Sequence, residues 1–196
     1  MKQGVLLLAH GAPELVEDVP NYLSFVRGGR SVNLHVVKEV TERYAAIGGC
    51  SPLLRWTRVQ AEALEKLLGI PVFFGMRNWH PFIRETMDRV RESGVERLAA
   101  ICLAPQFAEL SVGLYIKRTE EAKQQAGVTA ELSWARSFHD EPLLIEAFAE
   151  KLQPNGRKVL FTAHSLPEKA LTKNNPYDRE ARATARLMAE RTNVTD

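Results

Sequence analysis

Cysteine is scarce in this chain of 196 residues, with only Cys50 and Cys102, far apart in the sequence. Two such cysteines form neither a disulfide framework nor a C-x-x-C site, and they cannot supply the four thiolates of an iron–sulfur cluster. Cys102 lies inside an apolar run, where a thiol behaves as a small hydrophobic side chain. We therefore expect a protein of a reducing, cytoplasmic compartment.

Long apolar runs, an excess of one charge and nucleotide-binding motifs are also missing. Residues 5–9 form an apolar run too short for a signal peptide, and no stretch is long enough to cross a bilayer. The 26 basic and 24 acidic residues leave a net charge of +2, which gives no electrostatic case for a nucleic-acid partner. Neither G-x-G-x-x-G, nor the P-loop pattern, nor the G-x-S-x-G elbow occurs. We therefore expect no nucleotide or flavin cofactor, no serine hydrolase and no integral membrane protein.

Apolar runs of strand length alternate with helical patterns along the chain. The predicted strands cover residues 5–9, 71–75, 98–103, 130–135 and 158–163. This alternation is typical of an α/β fold with a doubly wound, mainly parallel sheet flanked by helices. No linker or repeat interrupts it, so we expect one domain over residues 1–196. The connection between the first two strands is long, and excursions of that size often build a binding wall.

Four of the five histidines follow directly after a predicted strand, and only His35 does not; the four are His10, His80, His139 and His164. The carboxyl ends of parallel strands share one edge of a sheet, where ligands bind, so these histidines could face one cleft. Neutral imidazole is both a metal ligand and a base near neutral pH. The plainer alternative is that each histidine is a structural residue of its loop.

Two predicted helix starts follow strands. Ser165 and Glu168 have the spacing of a capping box after His164, and Asp140 could cap the helix that runs to about residue 152.

Other side chains also have two interpretations. Ser51 is an N-cap or a ligand hydroxyl, and Tyr115 belongs to the core or to a cleft wall. Trp79 and Phe107 are core fillers or faces on which a flat ligand could stack. Several arginines could bind carboxylates in bidentate fashion, or could simply be solvated: Arg27, Arg30, Arg43 and Arg77.

Several segments together resemble a known family. They are residues 8–14, 43–53, 57–61, 75–77, 103–107, 111–115, 138–142 and 163–168. The most specific are Ile-Gly-Gly-x-Ser-Pro-Leu, at 47–53, and Ala-His-Ser-Leu-Pro-Glu, at 163–168. In this order they resemble the amino-terminal part of the ferrochelatases, which insert ferrous iron into a porphyrin in haem synthesis. The loops 27–30 and 104–107 are most similar to the bacterial coproporphyrin-type branch.

The resemblance implies roles for individual residues. His164 matches the histidine that receives the metal or takes the pyrrole protons, so it is the expected catalytic residue and metal ligand. The implied porphyrin-binding residues are Arg27, Arg43, Tyr44, Ser51, Tyr115 and His10. His10 stands where the coproporphyrin branch usually has a tyrosine, and Asn78 replaces a histidine of related sequences, which weakens any metal relay through that loop.

The resemblance also implies the reaction. Fe²⁺ would be a substrate, and the porphyrin would be coproporphyrin III or protoporphyrin IX. Family members continue into a second lobe that supplies a glutamate opposite the histidine, so we expect activity to need that lobe, in the same or another chain. The alternatives are a non-catalytic tetrapyrrole- or metal-binding lobe and a chelatase for cobalt or nickel.

Overall fold

The computed structural model describes residues 1–152, 157–167 and 175–194. Its four strands form one sheet in the order β2-β1-β3-β4. They are β1 (Gln3–Ala9), β2 (Val72–Met76), β3 (Arg97–Cys102) and β4 (Glu131–Ala135). The central strand β1 pairs in parallel with both β2 and β3. The predicted α/β fold with a mainly parallel sheet is confirmed.

Seven α-helices accompany the sheet in the described part of the chain. They are α1 (Val19–Val26), α2 (Leu34–Ala46), α3 (Leu53–Leu68), α4 (Ile83–Ser93), α5 (Leu114–Ala126), α6 (Pro142–Ala149) and α7 (Tyr177–Thr192). A 3₁₀ turn at Val16–Asp18 precedes α1, and a π-helical turn at Glu109–Gly113 leads into α5. Among the described residues, no helix is both long enough and apolar enough to cross a membrane.

The chain divides into two compact units, Met1–Leu103 with Lys117–Trp134, and Ala104–Ile116 with Ala135–Asp196. The core of the first unit lies around β1, whose residues after Gln3 are all buried, as expected for a central parallel strand. Ala61 of α3 packs on Val5 and Val72. The hydroxyl of Thr86 in α4 donates to the carbonyl of Phe74 at 2.8 Å and so ties that helix to β2.

The long connection between β1 and β2 contains α1, α2 and α3. Helix α2 buries none of its residues, and Leu34 at its start is exposed. The side chain of Asn33 caps this helix by accepting a hydrogen bond from the backbone N–H of His35 at 2.8 Å. Within this connection α2 therefore presents surface rather than core, whereas α1 and α3 bury residues against the rest of the unit.

The second unit is held together around α7. Arg191 donates two hydrogen bonds to the carboxylate of Glu146 in α6, each 2.6 Å long. Such a bidentate pair fixes the geometry of two helices more firmly than a single contact.

Two predicted features of the second unit are wrong. The described residues 157–167 form no strand, and Leu160 in the middle of the apolar run is 86% exposed. The residue before α6 is Glu141 rather than Asp140, and no side chain caps that helix. Apolar character favours a strand, but a strand forms only where a neighbouring strand pairs with its backbone N–H and C=O groups. The local sequence does not show whether such a partner strand is present. Glu168, the second half of the predicted capping box, lies outside the described residues.

Candidate functional site

The loop after β1 is fixed by close contact with the loop after β2. The backbone N–H of Arg77 donates to Ala9 at 3.0 Å, and the N–H of Asn78 donates to His10 at 2.9 Å. Gly11 has a φ of +82°, and a Cβ at that position would lie 2.7 Å from the backbone nitrogen of Trp79. Only glycine combines that dihedral angle with such a close approach. His10 is therefore held firmly beside Arg77 and Asn78.

The imidazole of His10 contacts both neighbouring side chains. The guanidinium of Arg77 lies 3.3 Å from Nδ1 of His10, and the amide nitrogen of Asn78 lies 3.3 Å from Nδ1 and 3.2 Å from Nε2. Burial lowers the pKa of His10, and the positive charge of Arg77 lowers it further. His10 is thus favoured in its neutral form.

An aromatic cluster extends from His10 into the long connection. The ring of Tyr22 in α1 lies edge-on to the rings of His10, Tyr44 and Trp79, with centroids 6.3, 6.5 and 6.3 Å apart. The hydroxyl of Tyr22 is hydrogen-bonded to that of Tyr44, and burial raises the pKa of Tyr22 to about 12. Burial also raises the pKa of Tyr44. Both phenols therefore stay protonated at neutral pH.

This cluster brings together two of the implied porphyrin-binding residues, His10 and Tyr44. Tyr22, which links them, is 9% exposed and is visible in the sequence only as one apolar position of an amphipathic helix. Trp79 is buried within the cluster, so it is a core residue here and not an open stacking face.

The polar side chains selected from the long connection are more exposed. Arg27 follows the end of α1, and Arg43 in α2 forms an ion pair with Glu39 one turn earlier. The Ser51 hydroxyl accepts a hydrogen bond from the N–H of Leu53 at 3.2 Å, but the N-cap of α3 is Pro52, so the predicted N-cap at Ser51 is wrong by one residue. The two arginines can reach an anionic ligand without first leaving a buried position.

His164 lies in the second unit and lines a groove of about 720 Å³. Its backbone carbonyl accepts a hydrogen bond from the Tyr177 hydroxyl at 3.0 Å, and its side chain is exposed. Both apolar and polar side chains line the groove; they include Phe148, Phe161, Met188, Gln106, Arg182 and Thr184. The imidazole is therefore open to a ligand, although the described residues that precede it, 157–163, form no strand.

A buried carboxylate organises the other loops of the second unit. Glu180 of α7 is 6% exposed and accepts hydrogen bonds from the N–H of Phe107 at 2.6 Å and the Ser137 hydroxyl at 2.8 Å. Nδ1 of His139 lies 2.9 Å from the oxygen of Ser137. His139 thus has a structural role in this network. In the sequence Glu180 is one of several charged residues of a predicted helix, and that pattern does not indicate that its carboxylate is buried.

A metal cluster is not preformed in the part of the chain that the structure describes. No three His, Cys, Asp or Glu side chains gather there in a way that could hold an ion. The predicted metal-ligand role of His164 stays a prediction.

Comparison with known proteins decides the family. The ferrochelatase family model matches residues 2–196. The chain belongs to the ferrochelatase family. It is 36% identical to a ferrochelatase of Acidobacterium capsulatum, over all of this chain and 66% of the relative. It is 34% identical to a ferrochelatase of Deinococcus radiodurans, over 98% of this chain and 66% of the relative.

A coproporphyrin III ferrochelatase of Halalkalibacterium halodurans is 33% identical, over all of this chain and 67% of the relative. The chain therefore spans about two thirds of the length of the curated ferrochelatases that it matches. The resemblance found in the sequence motifs is confirmed.

Of the six implied porphyrin-binding residues, Tyr115 is the most buried. It is only 4% exposed and lies at the start of α5. Its role against a porphyrin stays a prediction, as do those of Arg27, Arg43, Tyr44, Ser51 and His10.

Proposed function

We propose that the protein carrying this chain inserts Fe²⁺ into a porphyrin, either coproporphyrin III or protoporphyrin IX, in haem synthesis. The observation that carries the proposal is the match to the ferrochelatase family along residues 2–196. Several relatives are named coproporphyrin III ferrochelatases, which favours coproporphyrin as the substrate. Location in the cytoplasm, with its reducing conditions, is part of the same proposal.

The reaction requires a group that accepts protons. A free-base porphyrin loses two pyrrole protons as the metal enters, and a base that titrates near neutral pH suits that step. His164 is our candidate for this base and for the first protein ligand of the iron, because its side chain is exposed on a groove with room for a ligand.

The reaction also requires that the porphyrin be held in place. Arg27 and Arg43 are exposed cations that could pair with propionate groups, and Tyr44 and Ser51 offer hydroxyls. His10 and Tyr115 complete the proposed set of porphyrin-binding residues. We further propose that turnover needs a second lobe, in the same chain or another, to close the other side of the porphyrin.

The test measures iron insertion without oxygen, using the protein as its gene encodes it. Loss of coproporphyrin fluorescence on addition of Fe²⁺ reports the product. His164→Ala should slow insertion by about 100-fold or more, in the range expected for losing a catalytic acid–base group. His35→Ala is the matched control, since His35 is exposed and lies outside the proposed site. Near-normal turnover by His164→Ala would show that another residue accepts the protons.

A further inference from the structure

His164 lies in a segment that no regular secondary structure holds in place. Residues 157–167 form neither a strand nor a helix. Between the described residues this segment makes one hydrogen bond, which joins the Tyr177 hydroxyl to the backbone carbonyl of His164 at 3.0 Å. The phenol is the donor, because a carbonyl oxygen can only accept. The position of the His164 backbone therefore depends on Tyr177.

Tyr177 itself is fixed at the start of α7. Its backbone N–H donates to the side chain of Asn175 at 3.1 Å. Further along the same helix, Glu180 accepts hydrogen bonds from two loops, and Arg191 pairs with Glu146 in α6. A hydroxyl on a helix that is fixed at several points can hold a segment that lacks a partner strand.

Tyr177 and His164 line the same groove, of about 720 Å³. Their hydrogen bond engages only the backbone carbonyl of His164, so the imidazole stays available to a ligand. A catalytic base must lie within hydrogen-bond reach of the proton that it takes. A misplacement of about 1 Å can slow such a step by roughly 100-fold. The contact that fixes the backbone of His164 therefore bears directly on its use as a base.

We propose that Tyr177 is a positioning residue, whose hydroxyl holds the His164 carbonyl and so keeps the imidazole where it takes a pyrrole proton. The role of His164 as that base rests on the proposed function, whereas the hold of Tyr177 on the segment is a property of the chain alone. Tyr177 exchanges no proton with the porphyrin and acts only through His164.

Removal of the hydroxyl alone tests the positioning role in the iron-insertion assay, with the protein as its gene encodes it. Tyr177→Phe should lower kcat about threefold to tenfold, as for the loss of one neutral hydrogen bond, and change KM for coproporphyrin III by less than about twofold. An unchanged kcat would overturn the proposal, and a raised KM in its place would show that Tyr177 binds the porphyrin directly.

Thr192→Val is the matched control for this substitution. The Thr192 hydroxyl also donates to a backbone carbonyl, that of Met188 in the same helix at 2.7 Å, and Thr192 lies outside the residues that line the groove. Loss of this hydroxyl should leave both kinetic constants unchanged. An equal fall in kcat in the two variants would mean that the helix, and not the contact with His164, determines the rate.

A double-mutant cycle shows whether Tyr177 acts through His164. In the His164→Ala background, Tyr177→Phe should have no further effect on the remaining rate, because the base that it positions is gone. An equal loss in both backgrounds would show that the hydroxyl acts independently of His164 and would contradict the proposal.

Carbon NMR of the protein labelled in its histidine carbonyls detects the hydrogen bond without any porphyrin. A hydrogen bond polarises a carbonyl, so the His164 signal should move upfield in Tyr177→Phe and stay in place in Thr192→Val. The His164→Ala variant assigns the signal by removing it. An unmoved signal would refute the hold on His164. If the signal moves but the protein inserts no iron, the proposed function fails and the hold on His164 stands.

Discussion

Gly11 determines where the His10 side chain can lie. Its φ of +82° turns the chain directly after β1, and a Cβ there would lie 3.0 Å from Cβ of Met76 as well as 2.7 Å from the nitrogen of Trp79. Both neighbours belong to the strand and loop that also carry Arg77 and Asn78. A residue larger than glycine would therefore push the β2 loop away from the imidazole.

Replacement of Gly11 should lower the free energy of unfolding by more than the strain of its dihedral angle alone explains. Gly28 also has a positive φ, +68°, but a Cβ added there would have no atom within 4 Å. We expect Gly28→Ala to lower the free energy of unfolding by about 1 kcal/mol, the usual cost of a left-handed alanine. Gly11→Ala should cost roughly 3 kcal/mol because steric overlap adds to the strain.

Urea denaturation of both variants, followed by circular dichroism, measures the difference. Equal losses of stability at the two positions would show that the contact with Trp79 does not limit the loop.

At the scale of secondary structure, α7 connects the loops of the second unit through side-chain hydrogen bonds. Glu180 accepts hydrogen bonds from the backbone N–H of Phe107 and from the Ser137 hydroxyl. Thr184, one turn later, accepts a hydrogen bond from the side chain of Gln106 at 3.0 Å and donates one to the carbonyl of His139 at 2.8 Å. A single helix thus fixes two loops that follow strands, and one of them places Gln106 on the groove beside His164.

Loss of the buried carboxylate should therefore destabilise the second unit. Glu180→Ala leaves the Phe107 N–H and the Ser137 hydroxyl without their acceptor, so we expect a loss of about 3 kcal/mol in the free energy of unfolding. Glu190→Ala, at an exposed position of the same helix, should stay within about 0.5 kcal/mol of the unchanged protein. Chemical denaturation provides both values. A loss at Glu180 no larger than at Glu190 would mean that other contacts hold these loops.

Whether an element can be predicted from the sequence depends on where the partners of its backbone hydrogen bonds lie. Strands β1 to β4 are predictable because their apolar runs are bounded by turn residues and lie in the sheet. Residues 158–163 have the same pattern but form no strand, because pairing depends on parts of the chain that local sequence does not specify. The contact of Arg77 with His10 and the burial of Glu180 depend likewise on tertiary packing, so no spacing rule reveals them.

At the scale of the whole molecule, family membership and local geometry support different parts of the account. The family match covers residues 2–196 and supports the chemistry of iron insertion. The structure adds that His10, Tyr22 and Tyr44 form one cluster with two protonated phenols. With a net charge of only +2, long-range attraction of an anionic porphyrin is weak. We therefore expect its binding to depend on contacts with individual arginines.

The central claim is that this chain binds a porphyrin through the residues selected above, and a titration of coproporphyrin III followed at its Soret band tests it most directly. The account predicts a saturable shift that weakens about two- to fivefold in Arg27→Ala, as for one exposed ion pair. Arg97→Ala, which removes an exposed arginine paired with Glu131 outside the site, should leave the titration unchanged. A folded protein that produces no Soret shift at any coproporphyrin concentration would contradict the claim.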